Sequence, residues 1–156
     1  MTVVVLDEQD DPLPSTDQLF ELAGVVLAGE GLPEATEVAI SLIDEPRIQE
    51  LNESHLGKQG PTDVLSFPLE DLRPGHGLEP SVPGGPPPAI GDVFICPAYV
   101  RKRARAAGVA FDDEMALMVV HGLLHLLGYD HVKDSDAVLM EAQERRYLAQ
   151  VGRQRP

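Results

Sequence analysis

The apolar residues of this chain fall into short blocks that switch between strand and helix spacing. Thr2-Val3-Val4-Val5-Leu6 is short and β-branched and predicts a strand. From Asp17 to Leu27, apolar residues at Leu19, Phe20, Leu22, Ala23, Val26 and Leu27 recur at helical spacing, with Ser15 or Thr16 placed to cap the start. Glu37 to Ile43 alternates in part and predicts a second strand. Asp44 follows where a cap belongs, ahead of a helix through Ile48 and Leu51. Val64 to Leu69 and Ile90 to Cys96 predict two further strands. Pro97 suits the first turn of a third helix, and Asp112-Asp113-Glu114 sets three acids at the start of a fourth, where the macrodipole favours them. That helix runs to about Leu127. After Lys133, Ser135 is placed to cap a fifth, amphipathic helix through Leu139, Ala142, Tyr147, Leu148 and Val151. The pattern predicts an α/β (α+β) fold, with a small mixed sheet of about four strands and about five helices in a single domain, 1–156.

One stretch breaks the pattern. Asp71 to Pro88 holds six Pro and four Gly, a composition that sustains neither helix nor sheet ladder. It predicts a flexible surface loop at 71–88, with His76 a solvated loop residue.

Composition narrows the classes. An apolar fraction of 43% is that of a folded protein. No apolar run approaches the roughly 20 residues that span a bilayer, and the N-terminus lacks a signal-like core. The lone Cys96 excludes an internal disulfide and reads as a small buried side chain. These features predict a cytoplasmic protein without a membrane partner.

Charge refines that picture. The net charge of -14 argues against a general nucleic-acid binder. It is unevenly spread: residues 1–90 carry 3 Lys/Arg against 17 Asp/Glu, and residues 91–156 carry 9 against 9. The one dense basic cluster is Arg101, Lys102, Arg103 and Arg105. It is either a solvated helix face or the place where RNA would be met.

The chemistry concentrates in His121-Gly122-Leu123-Leu124-His125-Leu126-Leu127-Gly128-Tyr129-Asp130-His131. His121 and His125 are four apart, so on a helix they share a face and their imidazoles can converge on one ion. Gly128 can take positive φ, end the helix and return His131 as a third ligand. Three neutral nitrogens leave a fourth position for water, the pattern of catalytic rather than structural zinc, and each ligating His needs an acceptor for its other nitrogen. The spacing matches the long metzincin helix signature except at Gly122, where such a peptidase carries its general-base Glu. A protease therefore lacks its base, and something approaches the backbone closely at Gly122 or packs against it. Asp63 and Asp130 are candidates for orienting a ligand or taking a proton. Each could equally satisfy local backbone groups.

The block His121 to His131 resembles the H-G-x-L-H-L-x-G-Y-D-H signature of the bacterial YbeY proteins, endoribonucleases of rRNA maturation. Two further blocks agree and stand in family order: Leu51-Asn52 followed by Pro61-Thr62-Asp63-Val64-Leu65-Ser66-Phe67-Pro68, and Gly91-Asp92-Val93-Phe94-Ile95-Cys96-Pro97. The resemblance implies a single-strand-specific, metal-dependent endoribonuclease acting in 16S rRNA 3′-end maturation and ribosome quality control. It implies one zinc per chain on His121, His125 and His131, and ribosomal RNA and the small ribosomal subunit as partners. Many members carry a functional Arg in a Tyr-Arg dipeptide after the Leu-Asn pair. Here His55-Leu56 stands at that place, and the nearest cation is Lys58, which cannot form the bidentate fork of Arg. Asp130, Asp63 and Lys58 are thus the candidate catalytic residues. The departures at Gly122 and Leu56 also support a second reading, a zinc-stabilised ribosome-assembly or RNA-handling factor with little nuclease activity.

Overall fold

The computed structural model describes residues 2–13, 15–75 and 83–156. In chain order the elements are β1 (Thr2–Glu8), α1 (Thr16–Gly29), β2 (Glu37–Ile43), α2 (Glu45–Leu56), β3 (Val64–Pro68), β4 (Ala89–Ile95), α3 (Pro97–Ala107), α4 (Phe111–Leu126) and α5 (Asp134–Gln150). The four strands form one mixed sheet in the order β1-β2-β4-β3. β1, β2 and β4 run parallel, and β3 closes the edge antiparallel to β4.

Local chemistry accounts for most of the boundaries. The Ser15 hydroxyl accepts from the Asp17 amide at 3.2 Å, and the Asp44 carboxylate accepts from the Arg47 amide at 3.0 Å, so both predicted caps are in place. Pro97 lies in the first turn of α3, and Asp112, Asp113 and Glu114 lie in the first turn of α4. Cys96 is the residue before α3 rather than the end of a strand. It is buried, and burial pushes its thiol above the ordinary range.

The last helix departs from the expectation twice. It begins at Asp134, after Lys133, so Ser135 lies within the first turn and does not cap it. Its buried residues are Met140, Glu144, Tyr147 and Leu148, whereas Leu139 is 46% exposed and Ala142 faces solvent. The true buried stripe contains a glutamate. Tyr147, Leu148 and Val151 pack against the core as their spacing predicts, and Met140 and Glu144 take the inward places expected of Leu139 and Ala142.

The core fills one side of the sheet. Val38, Ile40 and Leu42 of β2 and Val93 and Ile95 of β4 pack with Val26 of α1, Val119, Val120 and Leu123 of α4, and Met140 and Tyr147 of α5. A smaller cluster of Ile43, Ile48, Leu65 and Cys96, joined by Phe67 and Phe94, forms where α2 packs. In the Pro/Gly-rich segment, 71–75 and 83–88 carry no helix and no strand of the sheet. Its middle, with His76, lies outside the described residues. Among the described residues no helix is long and apolar enough to cross a membrane.

Candidate metal centre

Helix α4 crosses the β3–β4 edge of the sheet with Gly122 at the point of closest approach. A Cβ placed at Gly122 would lie 2.6 Å from Val93 Cγ1, closer than carbon atoms pack, and a tight 3.3 Å from Val64 Cγ2. The missing side chain is thus a packing requirement. No Glu fits at the position where metzincins carry their base.

The next residue toward the helix start, His121, and the one a turn later, His125, face a cleft beside β3. Their Nε2 atoms are 3.1 Å apart. The helix then ends in a Schellman motif: the Tyr129 amide donates to the Leu124 carbonyl at 3.0 Å, and the Gly128 amide to that of His125 at 3.1 Å. Gly128 takes φ +94, and a Cβ there would collide with the backbone of Leu72 and Arg73. Tyr129 is buried and anchors the turn, and burial together with its contact to Glu30 raises its phenol to about 12. The chain returns His131 to the same point. The ring centroids of His131 lie 5.3 Å from His121 and 5.1 Å from His125, and one ligand nitrogen from each of the three lies within 4.8 Å of the others.

Electrostatics suit this cluster to a cation. Burial, with His121 and His131 adding repulsion, lowers the His125 imidazole to about 4, against an opposing hydrogen bond to the Tyr129 backbone. At neutral pH His125 is held as the neutral base that a metal ion requires. The donor set fits a single ion of the zinc type: three imidazole nitrogens converge, and no fourth His, Cys, Asp or Glu joins them among the described residues.

The three histidines sit in a cleft of about 670 Å³ whose opposite wall comes from the C-terminal end of α2 and from β3. Lys58, Asp63, Asp130 and Leu56 all line it, so the three acid and base candidates are brought together with the histidines. Their states differ. Asp63 Oδ1 accepts from the Val64 amide at 2.8 Å and from the Thr62 hydroxyl at 3.2 Å, while Oδ2 pairs with Arg103. Both of its oxygens are engaged. Asp130 is exposed, and only Oδ1 is held, by the His131 amide at 2.7 Å. Lys58 is the one Lys or Arg among the lining residues, and Leu56 stands beside it 47% exposed.

A further side chain reaches the centre from behind. Glu144 of α5 is 2% exposed, and its Oε2 lies 3.6 Å from His121 Nδ1 and 3.6 Å from Arg155 Nε. Pattern reading missed it because a lone Glu in a helix registers as solvated. The usable signal was its position on the stripe of Met140, Tyr147 and Leu148, where a charge requires a partner.

The basic cluster on α3 does not form one free face. Arg101 pairs with Asp11 at 2.9 Å, donates to the Pro12 carbonyl at 2.7 Å and stacks 3.9 Å above Phe111. Lys102 pairs with Glu45 at 2.6 Å, and Arg103 with Asp63 at the cleft margin. Arg105 is exposed and forms no ion pair among the described residues.

Comparison with known proteins bears on this site. The family model described as Endoribonuclease YbeY matches residues 7–152. A protein of Acidothermus cellulolyticus described as Endoribonuclease YbeY is 37% identical over 166 residues, covering 99% of this chain and 100% of its own length. One of Micrococcus luteus with the same description is 38% identical over 157 residues, covering 100% of this chain and 96% of its own. Among solved structures, the solution structure of a Thermotoga maritima protein matches with a TM-score of 0.65 at 29% identity, over 96% of this chain and 89% of that one.

Proposed function

The chain belongs to the endoribonuclease YbeY family, and from that premise we propose that it is a zinc-dependent, single-strand-specific endoribonuclease of 16S rRNA 3′-end maturation and ribosome quality control. The observation that carries the reading is the convergence of His121, His125 and His131 in an open cleft, with an acid and a cation on its walls. An RNA substrate and the small ribosomal subunit as partner place this activity in the cytoplasm, in one domain that spans the chain.

One zinc ion on the three imidazoles would supply Lewis-acid polarisation of a phosphoryl oxygen and acidify water toward neutral pH. The protein's own groups do the rest. Asp130 has one oxygen fixed by the His131 amide and the other open at the rim, which suits it to accept the proton of the attacking hydroxyl. Asp63, with both oxygens engaged, shapes the wall and holds Arg103 at the cleft margin. Lys58 offers a point charge to a phosphate, and Leu56 offers apolar surface where the bidentate fork of an Arg is absent.

A structural zinc in an assembly factor is disfavoured by the donor count: structural sites close with four protein ligands, and three converge here among the described residues. The deciding experiment is cleavage of a single-stranded 16S 3′-end RNA and its duplex by metal-replete protein beside His125→Ala. Cleavage confined to the single strand and lost in the variant is expected. Equal cleavage by the variant would overturn the reading.

A further inference from the structure

The ion pairs around α5 leave two buried polar atoms, Glu144 Oε2 and Arg155 Nε, without a hydrogen-bond partner among the described residues. A buried carboxylate costs several kcal/mol unless its lone pairs are satisfied, so a glutamate inside the stripe of Met140, Tyr147 and Leu148 requires a purpose that packing does not supply. What it faces is the back of the histidine cluster, since His121 Nδ1 is 3.6 Å away.

We propose that Glu144 is a positioning residue for the metal centre, accepting a hydrogen bond from Nδ1–H of His121 so that the proton stays on Nδ1 and Nε2 of that ring is free toward the ion. This rests on the reading of the three histidines as metal ligands. The tautomer argument supports it. His121 and His125 face each other through Nε2 at 3.1 Å, so when both ligate through these atoms each ring must carry its proton on Nδ1. For His125 the Tyr129 backbone is at hand as a hydrogen-bond partner. For His121 the group in reach is Glu144. At 3.6 Å the contact lies just beyond hydrogen-bond range, and the proposed bond requires the two groups to come slightly closer when the ion is held. Arg155, in the segment after α5, approaches the same Oε2 atom at 3.6 Å and offsets its charge, so that segment braces the site through Glu144.

The test sets two readouts against each other in Glu144→Gln and Glu144→Leu, using the full chain and zinc alone as probe. Chelator competition measures zinc affinity, and urea denaturation measures the stability of the metal-free protein. A positioning role predicts an affinity loss of about 10–100-fold, larger for Leu than for Gln. It also predicts metal-free stability that is unchanged or raised, because an unsatisfied buried carboxylate has gone. Unchanged affinity in both variants would overturn the proposal and leave Glu144 a structural partner of Arg155. So would metal-free forms of both that no longer fold. Failure of the wild type to bind zinc would instead overturn the ligand assignment, which keeps the two readings separable.

Discussion

Ser66 on β3 donates its hydroxyl to the backbone carbonyl of Gly122 on α4 across 2.8 Å. This bond ties the helix that carries two of the three histidines to the edge strand that forms the cleft's far wall, at the residue whose missing side chain lets α4 lie against Val93. Replacing Gly122 with Ala opposes two effects. Helix propensity favours Ala by up to about 1 kcal/mol. Overpacking in a filled core costs about 1–3 kcal/mol. Val93, the nearest obstacle, is wholly buried in β4 and its branched side chain has only one torsion by which to yield, so overpacking should win. Gly122→Ala is expected to lower the urea midpoint of the metal-free protein, and Gly122→Glu to lower it further. A midpoint at or above wild type would show that β4 repacks.

The ligand set gives a second prediction. His121→Ala, His125→Ala and His131→Ala should each reduce bound zinc well below one ion per chain, as read by elemental analysis of purified protein. Removing one of three imidazoles leaves a pair with too few donors. His131 is exposed, so its removal should leave the stability of the metal-free protein near wild type, unlike changes on α4. Full occupancy in all three variants would overturn the assignment.

How much of this was legible in the sequence follows from which interactions are local. Ser15, Asp44, Pro97 and Gly128 act on residues a few positions away, so the helix ends and the His131 turn could be read from spacing alone. The i,i+4 histidine pair is local in the same sense. The reason for Gly122 was not legible in detail, because the atoms that exclude a side chain belong to β3 and β4, far away in sequence. Glu144 was hidden for the same reason: its partners, His121 and Arg155, come from another helix and from the segment after α5. The acids that neutralise the α3 cluster, Asp11, Glu45 and Asp63, are likewise supplied by distant segments. A run of basic residues therefore gave no sign that most of it was already paired.

A third prediction concerns pH. The His125 imidazole is lowered to about 4 in the folded, metal-free chain, against about 6.5 in an unfolded one. Between these values the unfolded state binds the additional proton, so stability rises with pH through this window. The contribution from His125 is complete above about 6.5 and is lost as pH falls toward 4. The urea midpoint of metal-free wild type should decline over that range, and the decline should be shallower in His125→Gln. Parallel profiles for the two proteins would show that other groups govern the acid limb.

The last prediction concerns how an acidic protein holds RNA. Long-range repulsion from a net charge of -14 means that binding depends on local cations able to meet phosphates. A cation already paired with an acid neutralises that acid and releases few counterions when RNA arrives. Arg101, Lys102 and Arg103 are paired with Asp11, Glu45 and Asp63. Arg105 on α3 and Lys58 in the cleft form no such pair among the described residues. On a single strand each lost phosphate contact flattens the logarithmic salt slope by about 0.7. Lys58→Ala should remove about one such increment. The double variant Arg101→Ala with Arg105→Ala should also remove about one, through Arg105, rather than the two that a wholly free cluster would lose. Zinc content should stay at the wild-type level in both, since none of these side chains touches the histidines. A slope unchanged in the double variant would leave α3 as a solvated face, and a loss of two increments would show that RNA displaces Asp11 from Arg101.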